Sequence, residues 1–148
     1  MLTRRMFTFA GASLLALPPT LALGQEKLAM QNLYSDADFS EQARMFNGTS
    51  VTLDGFMAPP LKPDVKFFVL GTAPMAICPF CDAASQWPQN IVLIYPKDRM
   101  RLFNYDQAIT VTGKLEIGTN TDQETGFVSK VRLIEADYKG LPSVSIGF

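Results

Sequence analysis

Histidine is absent from all 148 residues, and cysteine occurs only twice, as Cys78 and Cys81. The first absence removes Ser-His-Asp and Cys-His nucleophilic sets and every zinc site that depends on imidazole. Tryptophan occurs once, at Trp87. Basic clusters are also missing: 13 Lys and Arg stand against 14 Asp and Glu, for a formal net charge of −1. A chain balanced in this way lacks the positive stripe that phosphate backbones require, so no nucleic-acid partner is expected. No pair of carboxylates sits in a recognisable catalytic motif, which leaves the thiols as the main carriers of chemistry.

What is present begins with the N-terminus, MLTRRMFTFAGASLLALPPTLALGQE. A charged start, a short apolar run from Phe7 to Leu17 and small residues before Gln25 form a secretory leader, and the run is too short to span a bilayer as a mature helix. The Arg4-Arg5 pair followed by Phe7 resembles a twin-arginine export signal, the alternative being an ordinary leader with two arginines. Ala22 and Gly24 fit the cleavage site, so residues 1–24 are expected to be the signal peptide and 25–148 one domain. No second long apolar run follows, and no cysteine stands at the cleavage point. A periplasmic protein without a stable membrane anchor is expected.

Within 25–148, residues 25–34 lack a clear period and suggest a loose lead-in. SDADFSEQARMFNG then predicts a short helix capped by Ser35 or Asp36, with Phe39, Ala43 and Phe46 on one stripe and Asn47-Gly48 at its end. Strand signals dominate afterwards. SVTLDGFM alternates and then changes phase near Gly55, as a bulge or bend would. KFFVL (66–70) and IVLIY (91–95) are continuous apolar runs, read as buried strands. AITVTGKLEIG places Ile109, Val111, Leu115 and Ile117 on one face, and FVSKVRLIEA places Phe127, Val131 and Leu133 on one face. TNTDQETG joins them as a hairpin loop; Asn120, Asp122 and Glu124 start like a calcium loop, but the glycine comes late and Val131 stands at the closing position. The expected fold is all-β: a small five-stranded, partly open barrel of the OB type with a short N-terminal helix and a Cys-x-x-Cys loop.

Cys78 and Cys81 lie in APMAICPFCDAASQWPQN. Such a pair is a structural disulfide, part of a metal site or a redox pair. An oxidising compartment favours closure, although so small a ring restricts little of the unfolded chain. CPFC resembles the active-site tetrapeptide of glutaredoxins, which would make Cys78 the attacking and Cys81 the resolving thiol. Asp82 opposes a low thiol pKa, however, and the alternation of strand and helix in that fold is missing. For a metal, copper(I) accepts two thiolates, with Met75 as a soft third ligand. Zinc needs Asp82, a further carboxylate, water, or a dimer in which two chains supply four cysteines. Phe80 and Trp87, beside the thiols, suit loop anchors.

VTLDGFMAPP, KFFVLGTAPMAICPFC and WPQNIVLIY together resemble a family of small secreted bacterial OB-like proteins of unassigned function, often encoded beside ABC-type transport systems. The match covers roughly residues 47 to 135 and rests on Gly55, Phe56, Met57, Pro59, Cys78, Cys81, Pro88 and Asn90. It implies an accessory or binding role and no catalytic residue. The expectation is an exported binding protein, more an accessory than an enzyme, whose Cys78/Cys81 loop handles zinc or copper(I) or docks a transport partner. A periplasmic thiol–disulfide oxidoreductase and an interaction module with a structural disulfide are the alternatives.

Overall fold

The computed structural model describes residues 24–60, 62–75 and 87–142. Leader residues 1–23, Cys78, Phe80, Cys81 and Asp82 therefore lie outside the described residues. The elements run β1 (Glu26–Lys27), a 3-10 turn (Met30–Leu33), β2 (Tyr34–Ser35), β3 (Asp38–Phe39), α1 (Glu41–Phe46), β4 (Ser50–Met57), β5 (Phe68–Gly71), β6 (Ile91–Pro96), β7 (Ala108–Thr121) and β8 (Val128–Gly140). The expectation of an all-β chain holds. Among the described residues the one α-helix has six residues.

The sheet order is β1-β4-β5-β6-β8-β7, and β4 pairs again with β7. Pairing from β4 through β5, β6, β8 and β7 thus returns to β4. Every contact in this circuit is antiparallel except β6 with β8, which is parallel. Inside it lies the main apolar core, including Val51, Leu53, Phe68, Leu70, Val92, Ile94, Ile109, Val111, Leu115 and Leu133. The alternation read in β7 places Ile109, Val111 and Leu115 inside and Lys114 outside.

β5 and β6 read as continuous apolar runs because both of their faces are covered. Phe68, Leu70, Val92 and Ile94 join the main core, while Val69, Ile91 and Leu93 belong to a second apolar cluster on the other face. Ala58 and Phe67 complete that cluster, and Met75, Trp87, Tyr95 and Phe127 pack against it.

Four local expectations need correction. First, residues 25–34 are ordered: β1 runs parallel to Val51–Thr52, and Leu28, Met30 and Leu33 are buried in the main core. Second, Ser40 rather than Ser35 or Asp36 caps α1: its Oγ accepts from the Ala43 N–H at 3.0 Å and donates to the Asn32 carbonyl at 2.6 Å. Tyr34–Ser35 and Asp38–Phe39 instead form a tight hairpin, with Asp36 in its turn at φ 55°. Phe39 still reaches the core, but from this hairpin.

Third, β4 has no bulge at Gly55. Its register against β7 is unbroken from Ser50↔Lys114 to Phe56↔Ala108, and Val51, Leu53, Gly55 and Met57 all face inward. The glycine answers a shortage of space. A Cβ there would lie 2.6 Å from the Gly71 carbonyl oxygen, 2.7 Å from Met30 Cε and 2.9 Å from Leu70 Cγ.

Fourth, a bulge sits in β8, and a second register shift against β7 falls between Ile117 and Asn120. Leu133↔Leu115 and Ile94↔Leu133 give way to Asp137↔Thr112 and Pro96↔Ala136, so β8 carries an extra residue against both neighbours. Glu135 takes a left-handed φ of 49° there. Inward positions change from Ser129, Val131 and Leu133 to Ala136 and Tyr138. Phe127 precedes β8 and packs on the second cluster rather than sharing the face of Val131 and Leu133.

Candidate functional site

The described chain leaves the second cluster at Met75 and re-enters it at Trp87, so both flanks of the thiol-bearing segment rest on one apolar surface. That surface exists because β5 and β6 carry apolar residues at consecutive positions, giving each strand an outward as well as an inward apolar row. Phe67 is its largest fully buried member, and its ring lies 5.3 Å from Phe127 and 5.5 Å from Tyr95, in tilted geometry. Trp87 meets Phe127 edge-on at 6.4 Å. These are ordinary aromatic packing distances.

Met75, read as a possible thioether ligand, is half-buried in this packing. Its methyl group packs over Gly71, where a Cβ would push aside the end of the flexible Met75 side chain. Trp87 is an anchor, as expected. Its indole Nε1 donates to the Tyr34 hydroxyl at 2.8 Å, and two residues later Gln89 Nε2 donates to the Asp36 carbonyl. The Asn90 carbonyl then accepts from the Thr72 N–H at 3.2 Å, which places the two strand ends side by side. Burial pushes the Tyr34 phenol up to about 12, against a smaller opposing effect of the Trp87 hydrogen bond, so Tyr34 stays neutral.

The β7–β8 hairpin closes the other side of the cluster. Asp122 organises its tip: Oδ1 accepts from the Thr125 hydroxyl at 2.8 Å and the Thr125 N–H at 2.9 Å, while Oδ2 accepts from the Tyr95 hydroxyl at 2.9 Å. Gly126, at φ 73°, completes the turn. Burial raises the Asp122 pKa, but these hydrogen bonds outweigh it and hold the carboxyl below its usual value. Burial, and then the same bond, raise the Tyr95 phenol. Asp122 is thus committed to the turn, in keeping with a polar hairpin tip rather than a calcium loop. Among the described residues no three His, Cys, Asp or Glu side chains gather as an ion would require.

Of the other residues singled out in the sequence, Gly55 and Met57 are buried in β4, and Met57 Sδ accepts from the Phe103 N–H at 3.5 Å. Phe56, Pro59 and Pro88 are half-buried, and Asn90 is exposed. Sequence reasoning missed Tyr34 and Gln89. A tyrosine before a polar turn carries no motif, and only the fold brings it to a tryptophan 53 positions away. Also missed was an open polar groove of about 460 Å³ on the outside of β7 and β8, where Lys114, Lys139, Asp137 and the left-handed Glu135 meet Lys97.

No family model matches the chain, and no curated protein matches it. Among solved structures, a DUF3299 family protein from Pseudomonas aeruginosa PAO1 aligns over 80% of this chain and 97% of its own, with a TM-score of 0.51 and 12% identity. At that identity the likeness is one of fold: this all-β chain is built like a DUF3299 family protein.

Proposed function

We propose that the protein is an exported accessory or binding protein whose Cys78/Cys81 segment binds a soft metal ion, copper(I) or zinc, on a small barrel of the OB type. The observation that carries this reading is the second apolar cluster, which anchors Met75 and Trp87 on either side of the thiols. An outward-facing apolar cluster that seats both flanks of the thiol segment beside the β7–β8 hairpin suits a loop whose position matters to a ligand. The ring of pairings, with β6 and β8 parallel, supports the OB assignment.

The same topology weighs against the oxidoreductase alternative. A glutaredoxin-like site sets its first cysteine at the start of a helix on a sheet flanked by long helices, whereas the α-helix among the described residues has six residues and the strands form a circuit with one parallel pairing. The twin-arginine leader, a periplasmic location and a partner in an ABC-type transport system belong to the proposal through the leader and the family resemblance.

Ligand chemistry sets the arithmetic. With no histidine, zinc would draw four thiolates from two chains, one ion per dimer, whereas copper(I) would rest on one chain's Cys78 and Cys81. The test is titration of the reduced chain, residues 25–148, with copper(I) or zinc, followed by native mass. Uptake that disappears in Cys78→Ser is the expected result. Equal uptake by Cys78→Ser, or none by the parent, would remove the metal assignment.

A further inference from the structure

We infer that Asn47–Gly48 is a latent modification site: β7 holds both reacting groups of an asparagine deamidation, so the reaction is closed while α1 is docked and opens when α1 lifts away. The site goes beyond the proposed function and depends on neither Cys78 and Cys81 nor a ligand for them.

The dipeptide follows from the way α1 ends. The helix stops at Phe46, Asn47 caps it at φ −58° and ψ 128°, and Gly48 takes a left-handed φ of 81°. Glycine adopts that conformation without steric cost, which is why it stands directly after the cap. The chain then enters β4 at Ser50. Among the asparagines of this chain, only Asn47 precedes glycine. Deamidation is fastest in that setting, because a backbone nitrogen with no Cβ beside it meets little obstruction. The residue that stops the helix therefore leaves a labile amide next to it.

In the reaction the Gly48 backbone nitrogen attacks Cγ of the Asn47 side chain. The N–Cγ bond forms and the Cγ–Nδ2 bond breaks. Ammonia leaves, carrying the proton given up by the Gly48 nitrogen, and water then opens the cyclic imide to aspartate or isoaspartate. Both reacting groups are occupied, and by the same strand. The Gly48 N–H donates to the Leu115 carbonyl at 2.7 Å, and Asn47 Oδ1 accepts from the Ile117 N–H at 3.1 Å. The next residue is fixed as well: the Thr49 carbonyl accepts from the Leu115 N–H at 2.9 Å, and the Thr49 hydroxyl donates to the Phe46 carbonyl at 2.7 Å. Ring closure needs the first two bonds released together, which is a local opening of 47–49 from β7. What keeps that stretch down is α1. Ala43 is fully buried, Phe46 packs on the main core, and Ser40 ties the start of the helix to Asn32. Isoaspartate carries the backbone through Cγ and lengthens it by one methylene, which destroys the register that lets Leu115 and Ile117 bind this turn. A chain that has opened is thereby marked.

The experiment incubates the chain at mildly alkaline pH, in buffer and in urea, and follows conversion at Asn47 by peptide mass and isoaspartate content. With two hydrogen bonds to release, conversion in buffer is expected to be slower than in urea by at least roughly tenfold. Ser40→Ala removes the helix cap and the tie to Asn32 and touches neither reacting group. It should speed conversion in buffer by roughly two- to tenfold and leave the rate in urea alone. Phe127→Ala, which loosens the outer cluster instead, should leave both rates in place. Hydrogen exchange of the Gly48 amide in the parent chain reads the same opening without any substitution and should be slowed to a similar degree. Conversion as fast in buffer as in urea, or in neither, overturns the inference. So does a Ser40→Ala rate equal to the parent's, equal acceleration by Ser40→Ala and Phe127→Ala, or a Gly48 amide that exchanges unprotected.

Discussion

The two apolar regions of this molecule are built by different rules. The inner core draws alternate residues from all five strands of the pairing circuit, and its central members, such as Leu53, Val111 and Leu133, have no exposed surface. The outer cluster uses the second face of β5 and β6 together with Ala58 and Phe67, and loops supply its lid: Met75, Trp87 and Phe127 are partly exposed. The circuit closes the inner core on itself, so a change there is felt through every strand. Substituting a lid residue of the outer cluster leaves the ring pairings untouched. The difference assigns tasks: the inner core holds the fold, and the outer cluster holds a loop on it.

The largest effect should come from Leu53→Ala or Leu133→Ala. Both are fully buried, and truncation leaves a cavity in a core with little room to collapse, so a loss of about 2–5 kcal/mol is expected in urea unfolding. A loss below 1 kcal/mol would mean that the circuit is less closed than its pairings suggest. Gly55→Ala ranks next. The added methyl meets the Gly71 carbonyl, which is backbone and cannot swing aside, so about 1–3 kcal/mol of strain is expected, and a stabilised variant would contradict the packing at β4 and β5.

Phe127→Ala sharpens the comparison from the other side. Its ring covers Phe67 and meets Trp87 but remains half-exposed, so the unfolding free energy should fall by only about 1–2 kcal/mol. Alkylation of Cys78 and Cys81 in the reduced chain should nevertheless become faster, whereas Gly55→Ala should leave that rate alone. The reverse pattern would dissolve the division between the two regions.

How much of this was visible in the sequence depended on whether each signal was local. The five main strands were legible because 50–57, 108–121 and 128–140 alternate and 68–71 and 91–96 are continuous apolar runs, which reveals burial on both faces. The hairpin of β7 and β8 followed from its polar linker. The bulge at Glu135 was not legible: LIEADY alternates plausibly in either phase, and only the pairing partners decide. Gly55 drew attention for the right reason and was given the wrong cause, since crowding from Gly71, Met30 and Leu70 is invisible along the chain. The N-terminal residues misled through short spacing: Leu28, Met30 and Leu33 fit no single period because Leu28 follows a two-residue strand while Met30 and Leu33 belong to a 3-10 turn. The cap was misplaced for a related reason, as several polar residues preceded the helix and only Ser40 also reaches Asn32. Of the candidate site, the thiols were evident and lie outside the described residues, while the anchors Met75 and Trp87 were legible as apolar neighbours. Tyr34 and Gln89 were not, because long-range contacts leave no periodic trace.

The smallest expected effect is one of pH. The folded pKa of Asp122 lies below its unfolded value, so the turn's contribution is complete above the ordinary carboxylate range and is lost as pH falls through the folded value. Asp122→Asn should therefore flatten part of the acid limb of a stability–pH curve. The change should be confined to the hairpin that borders the outer cluster, and an unchanged limb would show that Asp122 adds nothing there.

Hydrogen exchange on the chain comprising residues 25–148, with Cys78 and Cys81 reduced and then loaded with copper(I), tests the division of tasks most directly. The account predicts that loading slows exchange in peptides covering 58–67, 72–75, 87–90 and 122–127, and leaves the amides of β4 and the paired body of β7 as they were. Protection spread evenly through the ring, or none in the segments around the outer cluster, would contradict it.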